Sequence, residues 1–194
     1  MKAALFTAIE TPFARKLANL FTAEGYQVAE ADTPNPIDFF IDTTDIRLPD
    51  DHFSITDGIN AALIEKCFRD NVLHSMQLLE KFLPNLDAGE GKRLFYLSNT
   101  GASLNQTRDT RHYAYNMAKA SLHQFLQLIS NQLSTKGYTF RIFDPLNGEI
   151  APENAAGAAF HYLTRRRGTE NHDPRRDDEN NLILRDALGR AWHW

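Results

Sequence analysis

Short apolar runs alternate with amphipathic stretches along almost the whole chain, and this alternation restricts the fold more than any single residue does. The runs AALFTA at 3–8, YQVAEAD at 26–32, IDFFIDT at 37–43, RLFYLSN at 93–99, TFRIFDP at 139–145 and the close NLILRDALGRAWHW at 181–194 read as about six strands. Their near-continuous hydrophobicity is that of strands covered on both faces. Between the first two, Thr11 is a helix cap and Pro12 fits the first helical position, where its missing N–H costs nothing. Phe13, Leu17, Leu20 and Phe21 then share a face, and Gly25 supplies the stop. A long helical pattern from Asp57 to Phe82 carries Ile64, Phe68, Val72, Met76 and Leu79 at spacings of four and three, with Pro84 beyond its end. PENAAGAAFHYL at 152–163 reads as a further helix. Strand, helix and strand repeated in this way predict one α/β domain over 1–194, a doubly wound parallel sheet of Rossmann-like type.

One segment breaks the rhythm. Residues 165–181, RRRGTENHDPRRDDENN, are densely charged with both signs and read as a solvated loop rather than a phosphate-binding arm. A net charge of -4 and a pI of about 6.0 argue against a nucleic-acid partner. Cys67, the only cysteine, excludes a disulfide framework and suits a reducing compartment. The opening MKAALFTA lacks the apolar core of a signal peptide, and no apolar run is long enough for a membrane span, so a cytoplasmic protein is expected. The seven histidines show no metal-ligand spacing, so no metal is expected.

Chemistry enters at RHYAYNMAKASLHQFLQLISNQL, residues 111–133, where Tyr115 and Lys119 stand four apart on one helical face. A nearby ammonium favours the phenolate and lowers the pKa of a phenol, which can then exchange a proton with an alcohol or ketone. The spacing alone is common in helices and fits a surface pair equally well.

The surrounding order of elements resembles that of the short-chain dehydrogenase/reductase family. YNMAKASLHQF is similar to that family's Tyr-x-x-x-Lys helix, and FRDNVLHSMQLLEKFLP places Asn71 where the family has an asparagine in the preceding long helix. LFYLSNTGAS is similar to the strand that ends in a serine pair and a glycine. LILRDALGRAWHW looks like the last strand of one subgroup. The resemblance spans nearly the whole chain and implies Tyr115 as acid/base, Lys119 beside it, and Asn71 as the anchor of a proton-relay water. Asn99 falls where the usual serine stands, so the group that orients a carbonyl would be the hydroxyl of Ser98 or Ser103, or the Asn99 amide itself. The resemblance further implies NAD(P) as cofactor and a homodimer through the helices that contain Asn71 and Tyr115. The apolar stripe Leu122, Phe125, Leu126, Ile129 and Leu133 serves either the core or such a partner.

The family's glycine-rich nucleotide turn is absent. The matching stretch TAIETPFA, Thr7 to Ala14, has Ala8, Pro12 and Ala14 in the three glycine positions, with Glu10 beside the expected phosphates. Glycine lets backbone approach a diphosphate closely, and proline removes one of the helix N–H donors that hold the anion. Thr7, Ala8 and Thr11, with Lys119, are the residues left to meet a dinucleotide. The chain passes almost directly from the second strand into the third, so the adenine-side edge of the sheet is truncated. The family's Asn-Asn-Ala-Gly turn is DTTDI, Asp42 to Ile46, and its Pro-Gly segment is DPLNGEIAP with Leu146 in the glycine position. The expectation is a protein that has kept the fold and lost most of the chemistry, acting by binding or assembly. The alternative is an NAD(P)H-dependent reductase of small carbonyl compounds. A third reading, a smaller nucleotide or anion held by Arg15 and Lys16, is weaker than an exposed helical face.

Overall fold

A computed structural model describes residues 2–30, 36–165 and 181–193. Most of the charged segment 165–181 therefore lies outside the described residues. The strands are β1 (Ala3–Phe6), β2 (Gln27–Ala29), β3 (Phe39–Asp42), β4 (Arg93–Leu97), β5 (Thr139–Asp144), β6 (Leu184–Asp186) and β7 (Ala191–Trp192). They form one seven-stranded sheet in the order β2-β1-β3-β4-β5-β6-β7, parallel except for β7. The seventh strand corrects the expected six. The terminal stretch folds back on itself because the Asp186 carboxylate collects the N–H groups of Leu188 and Arg190 and the indole N–H of Trp192.

The helices are α1 (Pro12–Ala23), α2 (Ala61–Phe68), α3 (His74–Asp87), α4 (Tyr113–Leu133) and α5 (Pro152–Thr164). Thr11 caps α1 as expected, accepting from the Ala14 N–H at 3.1 Å. The single helix expected over 57–82 is instead α2 and α3 joined by one π-helical turn, Arg69–Leu73. A π turn inserts one extra residue and so shifts the facing side chains. Pro84 lies inside α3, not beyond it.

β1, β3, β4, β5 and β6 are buried along their whole length, which is why their sequences lack alternation. One sheet face packs on α1 and α5, where Ala14, Ala18, Ala155, Ala156 and Ala159 allow close approach around Phe21. The other face packs on α2, α3 and α4 through Phe40, Leu94, Tyr96, Ala118, Leu122 and Leu126. The stripe on α4 is thus mainly core, with Phe125 and Ile129 half-buried against it.

Candidate active site

Among the described residues one strand, β2, lies beyond β1, where the doubly wound order 3-2-1-4-5-6 has two, which agrees with the truncated edge. Order reverses between β1 and β3, and ligands of such sheets bind at that switch point beyond the carboxyl ends of the strands. A cleft of about 410 Å³ lies there, lined by Thr11, Phe13, Thr43, Asp45, Arg47 and Asn147 among others.

Tyr115 sits in the first turn of α4. Its N–H donates at 2.8 Å to the buried Asp51 carboxylate, which also accepts from the Ala114 N–H at 3.3 Å. A carboxylate at a helix N-terminus satisfies orphan donors and complements the helix dipole. It does so here for a helix whose preceding residue, His112, has a left-handed φ of 56° and makes no side-chain cap. Lys119, one turn on, is fully buried. Its ammonium donates to the Thr44 carbonyl at 2.7 Å and the Leu97 carbonyl at 3.1 Å, and stands 3.6 Å from the Asp45 carboxylate.

Asp45 is the centre of the arrangement. The Tyr115 hydroxyl donates to its Oδ1, and the Asn147 amide donates to its Oδ2 at 3.3 Å. The Arg47 guanidinium carbon lies 4.7 Å above the Tyr115 ring. Burial, and after it the Asp45 charge, holds the Tyr115 hydroxyl well above the ordinary phenol range. Burial first and the Asp45 charge second outweigh the lowering charge of Arg47, and the lowering expected from Lys119 is not among the causes of the shift. Burial also lowers the Lys119 ammonium, against the opposing pull of Asp45 and Asp42.

Asn71 lies in the π turn, fully buried. Its amide brackets Ile46, donating to that residue's carbonyl at 2.9 Å and accepting from its N–H at 3.0 Å. The side chain therefore fixes the backbone next to Asp45. Ser98 lies below the site, its hydroxyl 2.6 Å from His123 Nε2 on α4. Burial, followed by the charge of Lys119, pushes the His123 imidazole down to about 3. Ser103 instead ties the chain terminus: its hydroxyl donates to the His193 carbonyl and accepts from the Gln106 N–H. Asn99 caps the short turn Thr100–Ala102, accepting from the Gly101 N–H. Tyr115, Lys119 and Asn71 thus converge on one loop, 44–47, while Ser98 and Ser103 each have another partner.

The residues left for a dinucleotide are engaged internally. The Thr7 hydroxyl donates to Asp42 at 3.0 Å and accepts from the Thr43 N–H, and the Ala8 carbonyl accepts from the Thr43 hydroxyl. Thr11 caps α1, and the Ile9 N–H donates to Glu30. With Pro12 offering no N–H and the Ala14 N–H already bound to Thr11, the start of α1 presents no free pair of donors to a diphosphate. The Asp45 carboxylate adds negative charge inside the cleft. The residues present do not fit a dinucleotide held by a glycine-rich turn. Leu146, in the glycine position of the resemblance, has a left-handed φ of 52°.

Sequence reasoning missed Asp45, Arg47, Asp51, His123 and Asn147. Asp45 had a signal: in DTTDI it stands at the glycine of the family turn, and a side chain placed there enters the site.

The helix-covered parallel sheet and the Tyr-x-x-x-Lys helix define the fold of the short-chain dehydrogenases/reductases. No protein-family model and no curated protein matches the sequence. Solved structures do match. A carbonyl reductase from Pseudomonas aeruginosa PAO1 in complex with NADP is similar over 100% of both chains, with TM-score 0.76 and 13% identity. The carbonyl reductase Sniffer of D. melanogaster is similar over 99% of this chain and 87% of its own, with TM-score 0.69 and 14% identity. Among the described residues no helix is long and apolar enough to cross a membrane, and no cluster of three or more His, Cys, Asp or Glu could hold a metal ion.

Proposed function

We propose that this chain uses a reductase fold without the family's nicotinamide chemistry, or with little of it, and acts by binding or assembly. One observation carries the reading: the Tyr115 hydroxyl, which in the resemblance would serve a substrate carbonyl, donates to the chain's own Asp45. A phenol bonded to a carboxylate and held above its ordinary range is a poor proton donor to anything else.

The similar solved structures support a second reading better than this one. The solved structures of this fold include a carbonyl reductase with NADP, and Tyr115, Lys119 and Asn71 all reach one loop, as reduction of a small carbonyl by NAD(P)H would require. Thermal unfolding with millimolar NADPH or NADH separates the two. A ligand at a hundredfold excess over its Kd raises Tm by roughly 5–10 °C for a domain of this size. Our reading expects a shift below about 1 °C, and a saturating rise would replace it with the reductase.

A homodimer through α2, α3 and α4 is the assembly we propose, supported by the exposed Phe68, Leu73, Met76, Met117 and Leu128 on those helices and the turn between α2 and α3. Sedimentation should give twice the monomer mass of 22.1 kDa, and charged substitutions at Met76 and Met117 should return the monomer.

A further inference from the structure

The Asp45 carboxylate that engages the Tyr115–Lys119 pair is surrounded by donors, and donors in such numbers define a ligand class. The Tyr115 hydroxyl, the Asn147 amide and the Lys119 ammonium all face the two oxygens of Asp45. Arg47 stands over the Tyr115 ring at the mouth of the same cleft. An ammonium, a hydroxyl and an amide around two oxygens, with a guanidinium in the same cleft, suit a small carboxylate. They suit a neutral carbonyl less well, since it would take away the nearest counter-charge of a fully buried ammonium and leave only Asp42 to oppose it.

We propose that this cluster is a carboxylate-binding site occupied in cis, with Asp45 as its resident ligand. The Asp45 side chain is only 9% exposed, and its backbone cannot drift, because Asn71 brackets Ile46 on both its N–H and its carbonyl. The Thr44 carbonyl on the other side takes the Lys119 ammonium. The loop 44–47 therefore delivers the carboxylate as a fixed part of the fold, at the place where a glycine would leave room. This deepens the reading that the cleft does not work as a nicotinamide site, and rests on it.

Removing the side chain while keeping the donors should leave a vacancy of formate size with its charge unmet. In Asp45→Ala, Tm should fall by roughly 5–10 °C, and sodium formate should restore most of that loss along a saturating curve. Sodium chloride at equal ionic strength should not. Wild type and Asp45→Asn, whose amide fills the same volume, should not respond to formate. The double variant Asp45→Ala/Lys119→Met should lose the response as well. If Asp45→Ala does not fold unaided, refolding yield with and without formate gives the same readout. A formate response equal in wild type and Asp45→Ala, or none in Asp45→Ala, overturns the proposal. NADPH stabilising the wild type would overturn the functional reading instead, so the two failures are distinguishable.

Discussion

Replacing Tyr115 with phenylalanine removes one oxygen and separates a structural hydroxyl from a catalytic one. In a reductase that hydroxyl faces substrate, so its loss abolishes turnover and leaves stability nearly unchanged. Here it donates to a carboxylate whose side chain is 9% exposed, so the loss should appear in stability. A hydrogen bond to a charged group contributes about 1.5–3 kcal/mol. Lys119 at 3.6 Å and Asn147 at 3.3 Å remain near Asp45 and favour the lower half of that range. Roughly 2 kcal/mol corresponds to a fall in Tm of roughly 4–8 °C at this chain length. Urea unfolding should show a lower midpoint with an unchanged slope. In a double-mutant cycle with Asp45→Ala the two losses should fail to add by about 1 kcal/mol or more, since they remove the same contact. The pH dependence carries the same signature. A hydroxyl held above the ordinary phenol range keeps its proton when the unfolded chain has lost it, so its stabilisation is full below about pH 10 and declines above it. Tyr115→Phe should flatten that alkaline decline. A variant with Tm within about 1 °C of wild type and additive losses would refute the assignment.

Two further substitutions probe the fold, one beside the site and one at the opposite end of the sheet. His123 stays neutral down to about pH 3 when folded, whereas the unfolded chain takes up that proton near pH 6.5, so wild type should lose roughly 2 kcal/mol between about pH 7.5 and about pH 5 from this group. His123→Gln should remove that part of the acid destabilisation, and an unchanged difference in Tm between the two pH values would contradict it. Gly89→Ala should destabilise by about 3 kcal/mol or more in urea, because an added Cβ would lie 1.9 Å from the Ile37 carbonyl oxygen, a backbone atom that cannot rotate away. A cost under about 1 kcal/mol there would mean that the turn into β4 yields freely.

The strands, α1 with its Thr11 cap, and the parallel architecture were legible in the sequence because each follows from local pattern. Hydrophobic period, a capping residue and a proline at the first helical position act within a few residues of one another. The π turn at Arg69–Leu73 was not legible, since the helical spacing of Phe68, Val72 and Met76 runs straight through it. The hairpin that adds β7 was not legible either, because it depends on the Asp186 carboxylate gathering donors from Leu188, Arg190 and Trp192.

The candidate site divides in the same way. Sequence alone determined that Tyr115 and Lys119 share a helix face and that no glycine stands ready for a diphosphate between Thr7 and Ala14. Only the tertiary structure decided what the phenol touches. Asp45 lies seventy residues before Tyr115, and its carboxylate reaches the hydroxyl because the loop that follows β3 lies beside the first turn of α4, where Asn71 fixes it. The sign of the effect on Tyr115 follows from its burial and then from the charges around it once the chain has folded, and sequence spacing carries no information about either.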